Sequence, residues 1–127
     1  MTDSLSRLYD QVIAAKNADP SVSRTARLLR AGLGKTAKKL AEEAVEVVID
    51  TMHGDRDAVV RESADLLYNL TVLWVASGVK PADVWTEMAR RERLFGIAEK
   101  IPKKLVDAGV SRRKVVLLAS RRDRKRR

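Results

Sequence analysis

Between Leu66 and Ala76 only Asn69 and Thr71 are polar, and the apolar residues fall on every side of a helix. No glycine or proline interrupts the chain from Asp57 to Ser77, so this stretch reads as one helix from about Ala58 to Ala76. A helix that is apolar all round has to be buried all round. It is too short to do so in a bilayer, which needs roughly 20 consecutive apolar residues. The longest apolar run, Leu70 to Val79, is broken by Thr71 and Ser77. The other elements of the chain must therefore wrap this helix. With 127 residues there is material for one compact domain with a modest core. Five helices or so cannot enclose such a helix completely, so a second subunit is expected to cover part of it.

The remaining segments are helical too. Leu5, Leu8, Val12 and Ile13 give residues 4–16 a helical stripe, ended by Asn17-Ala18-Asp19-Pro20. Ser21 or Ser23 can cap a short helix through Thr25–Leu29, which Gly32-Leu33-Gly34 breaks. Lys35 to Met52 is rich in Ala, Lys, Leu and Glu and closes at His53-Gly54-Asp55, with Gly54 suited to a left-handed turn. Asp55 or Asp57 caps the 58–76 helix. Pro81 opens a last helix through Trp85 and Met88 to about Arg93. No stretch alternates with period two before residue 114. The expected fold is all-α, a helical bundle of antiparallel neighbours with short connections.

Two groups of carboxylates lie inside these helices. At about 100° per residue, Glu46, Asp50 and Glu43 fall within about 100° of Glu42 on the 35–52 helix. Leu40, Ala44, Val47 and Val48 take the opposite side, while Lys35, Lys38 and Lys39 precede the acids on their own face. On the 58–76 helix Glu62, Asp65 and Asn69 share an arc of about 60°. That arc borders Leu66, Val72 and Leu73, so it is expected to point inward. Carboxylates packed together against apolar surface call for a cation. Ligands that are all oxygen suit Mg²⁺, with Mn²⁺ as the alternative, rather than zinc. Magnesium commonly bridges carboxylates to substrate phosphates, and the lysines would meet the remaining negative charge. An ordinary solvated surface, with Lys38–Glu42 and Lys39–Glu43 as i, i+4 pairs, is the competing reading for the first group.

Glu42-Glu43-x-x-Glu46, fifteen residues, then Glu62-x-x-Asp65 resembles the metal motif of the MazG-like all-α nucleoside-triphosphate pyrophosphohydrolases. Within that superfamily the chain resembles the phosphoribosyl-ATP pyrophosphohydrolase family in Ser23–Leu29, Lys38–Val47, Gly54-Asp55-Arg56, Glu62–Tyr68 and Gly96–Lys100. The resemblance covers about residues 5–100. It implies a MazG-like bundle completed by dimerisation. It also implies Mg²⁺-dependent hydrolysis of phosphoribosyl-ATP to phosphoribosyl-AMP and pyrophosphate in histidine biosynthesis. Glu42, Glu43, Glu46, Glu62 and Asp65 would then be metal ligands, with Glu43 and Glu46 also catalytic. Arg27, Lys38, Lys39 and Asn69 would contact substrate. Ala41 stands where the family usually has Gly, and Asn69 where this branch usually has His. A relative acting on another nucleoside triphosphate is the alternative.

The net charge of +9 is unevenly placed. Residues 1–99 hold 14 basic and 15 acidic side chains, and residues 100–127 hold 12 and two. The expected organisation is thus a near-neutral domain over 1–100 and a basic extension over 101–127. Arg112-Arg113-Lys114 and Arg121 to Arg127 flank Val115–Ala119 there. This tail has the charge to bind nucleic acid but no aromatic residue to stack on bases, and a solvated tail is the favoured reading. A basic helical nucleic-acid-binding protein without activity is therefore a further alternative. With no cysteine, no long apolar span and no signal-like start, the expected location is the cytoplasm. The expected partners are a nucleotide and further copies of the chain, as a homodimer or higher oligomer. His53 is expected to be a turn residue, and Trp74 and Trp85 core or interface residues. Tyr68 is expected in the core, with the acid site as the other option.

Overall fold

The computed structural model describes residues 3–96, and these form five α-helices with no strand. They are α1 (Ser4–Ala15), α2 (Arg24–Arg30), α3 (Leu33–Met52), α4 (Arg56–Ser77) and α5 (Pro81–Phe95). The chain falls into two units, one from Met1 to Val84 and a second beginning at Trp85. The expected boundary near residue 100 and the basic extension lie outside the described residues.

Helix starts follow the capping residues. The carboxylate of Asp3 accepts from the Ser6 N–H at 2.8 Å, Ser23 Oγ from Ala26 N–H at 3.1 Å, and Asp55 from Ala58 N–H at 3.1 Å. Each meets a backbone donor that the first helical turn leaves without a partner. At α5 the exchange is reciprocal: Lys80 N–H donates to Asp83 Oδ2 at 3.0 Å, and Asp83 N–H donates to Lys80 O. Helix α4 ends at Gly78, whose φ of 77° lets Val79 N–H return to Trp74 O at 2.9 Å. Ala31 and Gly32, the latter at φ 97°, make the break between α2 and α3. Gly34, expected to share in that break, lies inside the first turn of α3.

In the first unit α3 runs along α4, while α1 and α2 close over the C-terminal half of α4. Val72 and Val75 meet Val12 there, with Leu8, Tyr9, Leu28, Leu29 and Tyr68 packed against them. Asn69, Thr71 and Trp74 of α4 are also buried. This is the more enclosed half of the helix, yet burial on every side is not met there either: Leu70 and Leu73 are half-buried, and Leu67 and Ala76 are exposed. Buried hydroxyls are accommodated by bonding one turn back. Thr36 Oγ1 donates to Gly32 O at 3.0 Å and Thr71 Oγ1 to Leu67 O at 2.8 Å.

The N-terminal half of α4 buries one stripe only. Ala58 is buried, Val59, Glu62 and Leu66 are half-buried, and Val60, Arg61 and Asp65 are exposed. The expectation that Glu62 and Asp65 point inward is therefore corrected: they stand at the rim, because α1 and α2 do not reach this end. The uncovered apolar surface is also displaced from where α4 alone predicts it. Val45, Val48, Ile49 and Met52 fall at i, i+3, i+4 and i+7 on α3, and Val48 and Met52 are 61% and 79% exposed. Val60 and Leu67 on α4 are exposed as well.

Candidate metal and phosphate site

Helices α3 and α4 bring three carboxylates together. Glu43, Glu62 and Asp65 each offer an oxygen within 4.8 Å of the others. Glu43 and Glu62 are half-buried and Asp65 is exposed. Glu43 sits on the side of α3 that carries Leu40, Ala44 and Val47, all half-buried. Glu62 and Asp65 are one turn apart on α4, so both reach the same point.

The crowding has an electrostatic signature. A hydrogen bond with Glu43 raises the Glu62 carboxyl above its ordinary value. Partial burial and the charges of Glu43, Asp65 and Asp50 push it the same way. The negative charge there is only partly offset: Lys39 Nζ lies 3.4 Å from Glu43 Oε1, and no other ion pair reaches the cluster among the described residues. Hard oxygen donors with surplus negative charge fit a divalent cation of the Mg²⁺ type.

Beside the cluster, α2 and α3 form a groove of about 410 Å³. Arg24, Arg27, Leu28 and Ala31 line it from α2, and Lys35, Lys39 and Glu42 from α3. Lys39 belongs to both places, since it lines the groove and pairs with Glu43. Helix α2 is anchored to α4 by Thr25 Oγ1 and Tyr68 Oη, 2.6 Å apart. The Arg24 guanidinium lies over the Tyr68 ring, 5.7 Å from its centre. Arg27 Nη1 donates to Pro20 O at 2.8 Å.

Of the five expected ligands, three converge. Glu42 and Glu46 are exposed and lie outside the cluster, Glu42 on the groove. Lys39 is at the site, whereas Lys38 is exposed and its expected pair with Glu42 does not form among the described residues. Arg27 faces the groove. Asn69 is fully buried; its Nδ2 donates to Asp65 O at 2.8 Å and its Oδ1 has no partner among the described residues. Tyr68 packs on the core, the first of its two expected places, and its hydroxyl meets Thr25 of α2. His53 caps the end of α3, as a turn residue would. Asp50 and Lys35 were placed on the acid face from sequence but stood outside the expected ligand and substrate-binding sets, and Arg24 was in neither group. Asp50 adds charge at Glu62 and lies two turns from Glu43, and Lys35 falls on the acid face of α3, so both had a periodic signal. Arg24 had none, because its place depends on how α2 packs.

An all-α chain with a carboxylate cluster and an adjoining cationic groove is equipped to hold a cation and a phosphate-bearing molecule. Residues 5–92 match the sequence profile of phosphoribosyl-ATP pyrophosphohydrolase. Phosphoribosyl-ATP pyrophosphatase 2 of Rhodopseudomonas palustris is 69% identical over 103 residues, 81% of this chain and 79% of that one. Phosphoribosyl-ATP pyrophosphatase 2 of Bradyrhizobium diazoefficiens is 61% identical over 99% of both chains. Phosphoribosyl-ATP pyrophosphatase of Azospirillum brasilense is 53% identical over 79% of this chain and 90% of its own. The chain belongs to the phosphoribosyl-ATP pyrophosphohydrolase family.

Proposed function

We propose that this chain hydrolyses phosphoribosyl-ATP to phosphoribosyl-AMP and pyrophosphate, the histidine-biosynthetic reaction, with Mg²⁺ held by Glu43, Glu62 and Asp65. The observation that carries the reading is the convergence of those three carboxylates within 4.8 Å beside a groove with four cationic side chains. The relatives' shared name supports the substrate.

A bound Mg²⁺ supplies Lewis-acid polarisation of the phosphoanhydride and charge neutralisation. The residues of the chain do the rest. Glu43, Glu62 and Asp65 hold the cation, and Asp50 adds negative charge behind them. Glu46 is one turn along α3 from Glu43 and exposed, and it has no ion-pair partner among the described residues. It serves as a further ligand or orients the attacking water, as does Glu42 from the groove side. Water's oxygen bonds to phosphorus as the bridging P–O bond breaks, and its proton passes to a carboxylate. Lys39, and Lys38 on a reoriented side chain, balance the polyphosphate charge. Asn69 holds the backbone beneath Asp65 and so positions that ligand.

A homodimer is part of the proposal. The exposed apolar stripe of α3, with Val60 and Leu67, supports a second copy as its cover. No helix among the described residues is long and apolar enough to cross a membrane, and the reaction belongs in the cytoplasm. The test is pyrophosphate release from phosphoribosyl-ATP and from a panel of nucleoside triphosphates, each with Mg²⁺, Mn²⁺ or chelator. Release from phosphoribosyl-ATP only with the divalent ion is expected. Faster release from an ordinary nucleoside triphosphate makes the chain a diverged relative.

A further inference from the structure

We infer that the groove between α2 and α3 is the subsite for the 5-phosphoribosyl arm of the substrate, with Arg24 and Lys35 reading its phosphate. The inference rests on the proposed substrate, which carries phosphate on two separate arms. The scissile triphosphate arm belongs at the carboxylate cluster, where the cation is held.

The groove is built for an anion. Arg24, Arg27, Lys35 and Lys39 line it against the single carboxylate of Glu42. Among the described residues, Lys39 alone of these cations is in an ion pair, and its partner is Glu43 of the cluster. Among the described residues, Arg24 meets a ring, Arg27 a backbone carbonyl, and Lys35 no carboxylate. Their placement follows from helical spacing. Arg24, Arg27, Leu28 and Ala31 fall at i, i+3, i+4 and i+7 on α2, and Lys35, Lys39 and Glu42 at i, i+4 and i+7 on α3. The two faces look at one another across the groove.

Two features favour a ribosyl phosphate over a bare polyphosphate. Leu28 and Ala31 add apolar wall, which suits the carbon face of a sugar and gives nothing to a phosphate chain. The volume, about 410 Å³, is at the small end of ligand pockets and matches one arm of the substrate rather than the whole. Arg24 is also oriented in advance, its guanidinium lying over the Tyr68 ring 5.7 Å from the centre and Tyr68 tied to Thr25. A planar guanidinium fixed this way presents paired N–H donors to phosphate at little entropic cost.

The test uses the full chain, with ribose 5-phosphate and, in Mg²⁺, inorganic pyrophosphate as separate calorimetric probes. Arg24→Gln and Lys35→Gln are each expected to weaken ribose 5-phosphate binding by about tenfold or more while changing pyrophosphate binding less than about twofold. With phosphoribosyl-ATP, KM rises by a similar factor and kcat stays within about threefold. Arg24→Lys recovers part of the loss. Both positions are exposed, and if one variant misfolds by circular dichroism the other decides. Failure of the wild type to bind ribose 5-phosphate overturns the subsite. So does an equal weakening of both probes, which assigns the groove to the polyphosphate. Absence of turnover by the wild type counts against the reaction alone, and the binding measurements still decide the groove.

Discussion

Glu62 shows how one side chain can be costly to the fold and needed by the site. Its carboxyl is raised by the hydrogen bond to Glu43, by burial and by nearby acids. A raised folded-state value means that its contribution is favourable while the group is protonated and is lost as pH rises through that value. In chelator, thermal stability should therefore fall as pH climbs from the acidic side through the Glu62 titration. Glu62→Gln should flatten that fall and raise the metal-free Tm at neutral pH, while removing the stabilisation that Mg²⁺ gives the wild type. A Glu62→Gln protein that Mg²⁺ still stabilises fully would show that the cation sits elsewhere. Tyr68→Phe isolates another link. It removes the 2.6 Å bond to Thr25 and should cost about 1 kcal/mol in a denaturant titration. The acids were legible as residues because their spacing repeats with the helix. The raised Glu62 carboxyl was not, because it depends on the separation of two helices that are distant in sequence.

Element boundaries were largely legible because caps and breakers act locally. Ser23, Asp55, Gly78 and Pro81 each do what their own chemistry dictates. Asp55→Ala should cost about 1 kcal/mol, since the Ala58 N–H then loses its acceptor. Val72→Ala, two methyl groups removed from a fully buried site on the same helix, should cost about 2 kcal/mol. Both are read from chemical denaturation midpoints, and the larger effect belongs to the half of α4 that α1 and α2 enclose. Sidedness was harder to read than extent. A wheel groups Glu42, Glu43, Glu46 and Asp50 in one arc, yet the packing line of α3 divides them. Glu43 and Asp50 fall on its half-buried side, and Glu42 and Glu46 on the open one. An arc of about 100° is wide enough to straddle the edge of a helix contact, and only the partner helix fixes where that edge falls.

At the scale of the molecule, the apolar surplus read from α4 proved real but sits mainly on its neighbour. The stripe from Val45 to Met52 follows α3 toward the α3–α4 turn, on the half of the pair that α1 and α2 leave uncovered. Sedimentation should give a dimer for the wild type. Val48→Lys and Met52→Lys, which place charge on the two most exposed residues of the stripe, should shift it toward monomer. A monomeric wild type would leave the stripe without the proposed cover. The sequence pointed to a second subunit through an excess of apolar residues; it did not say which helix would present them, because that depends on how far the shorter helices reach.

The enclosed core has its own consequence. Its centre is three valines, and only a few larger side chains lean on it. With so small an interior among the described residues, the proposed dimer would fold and associate as one event governed by mass action. Its melting temperature should then climb with protein concentration, as a monomer's does not. Dilution alone would loosen α3 against α4 and, with them, the distance between Glu43 and Glu62.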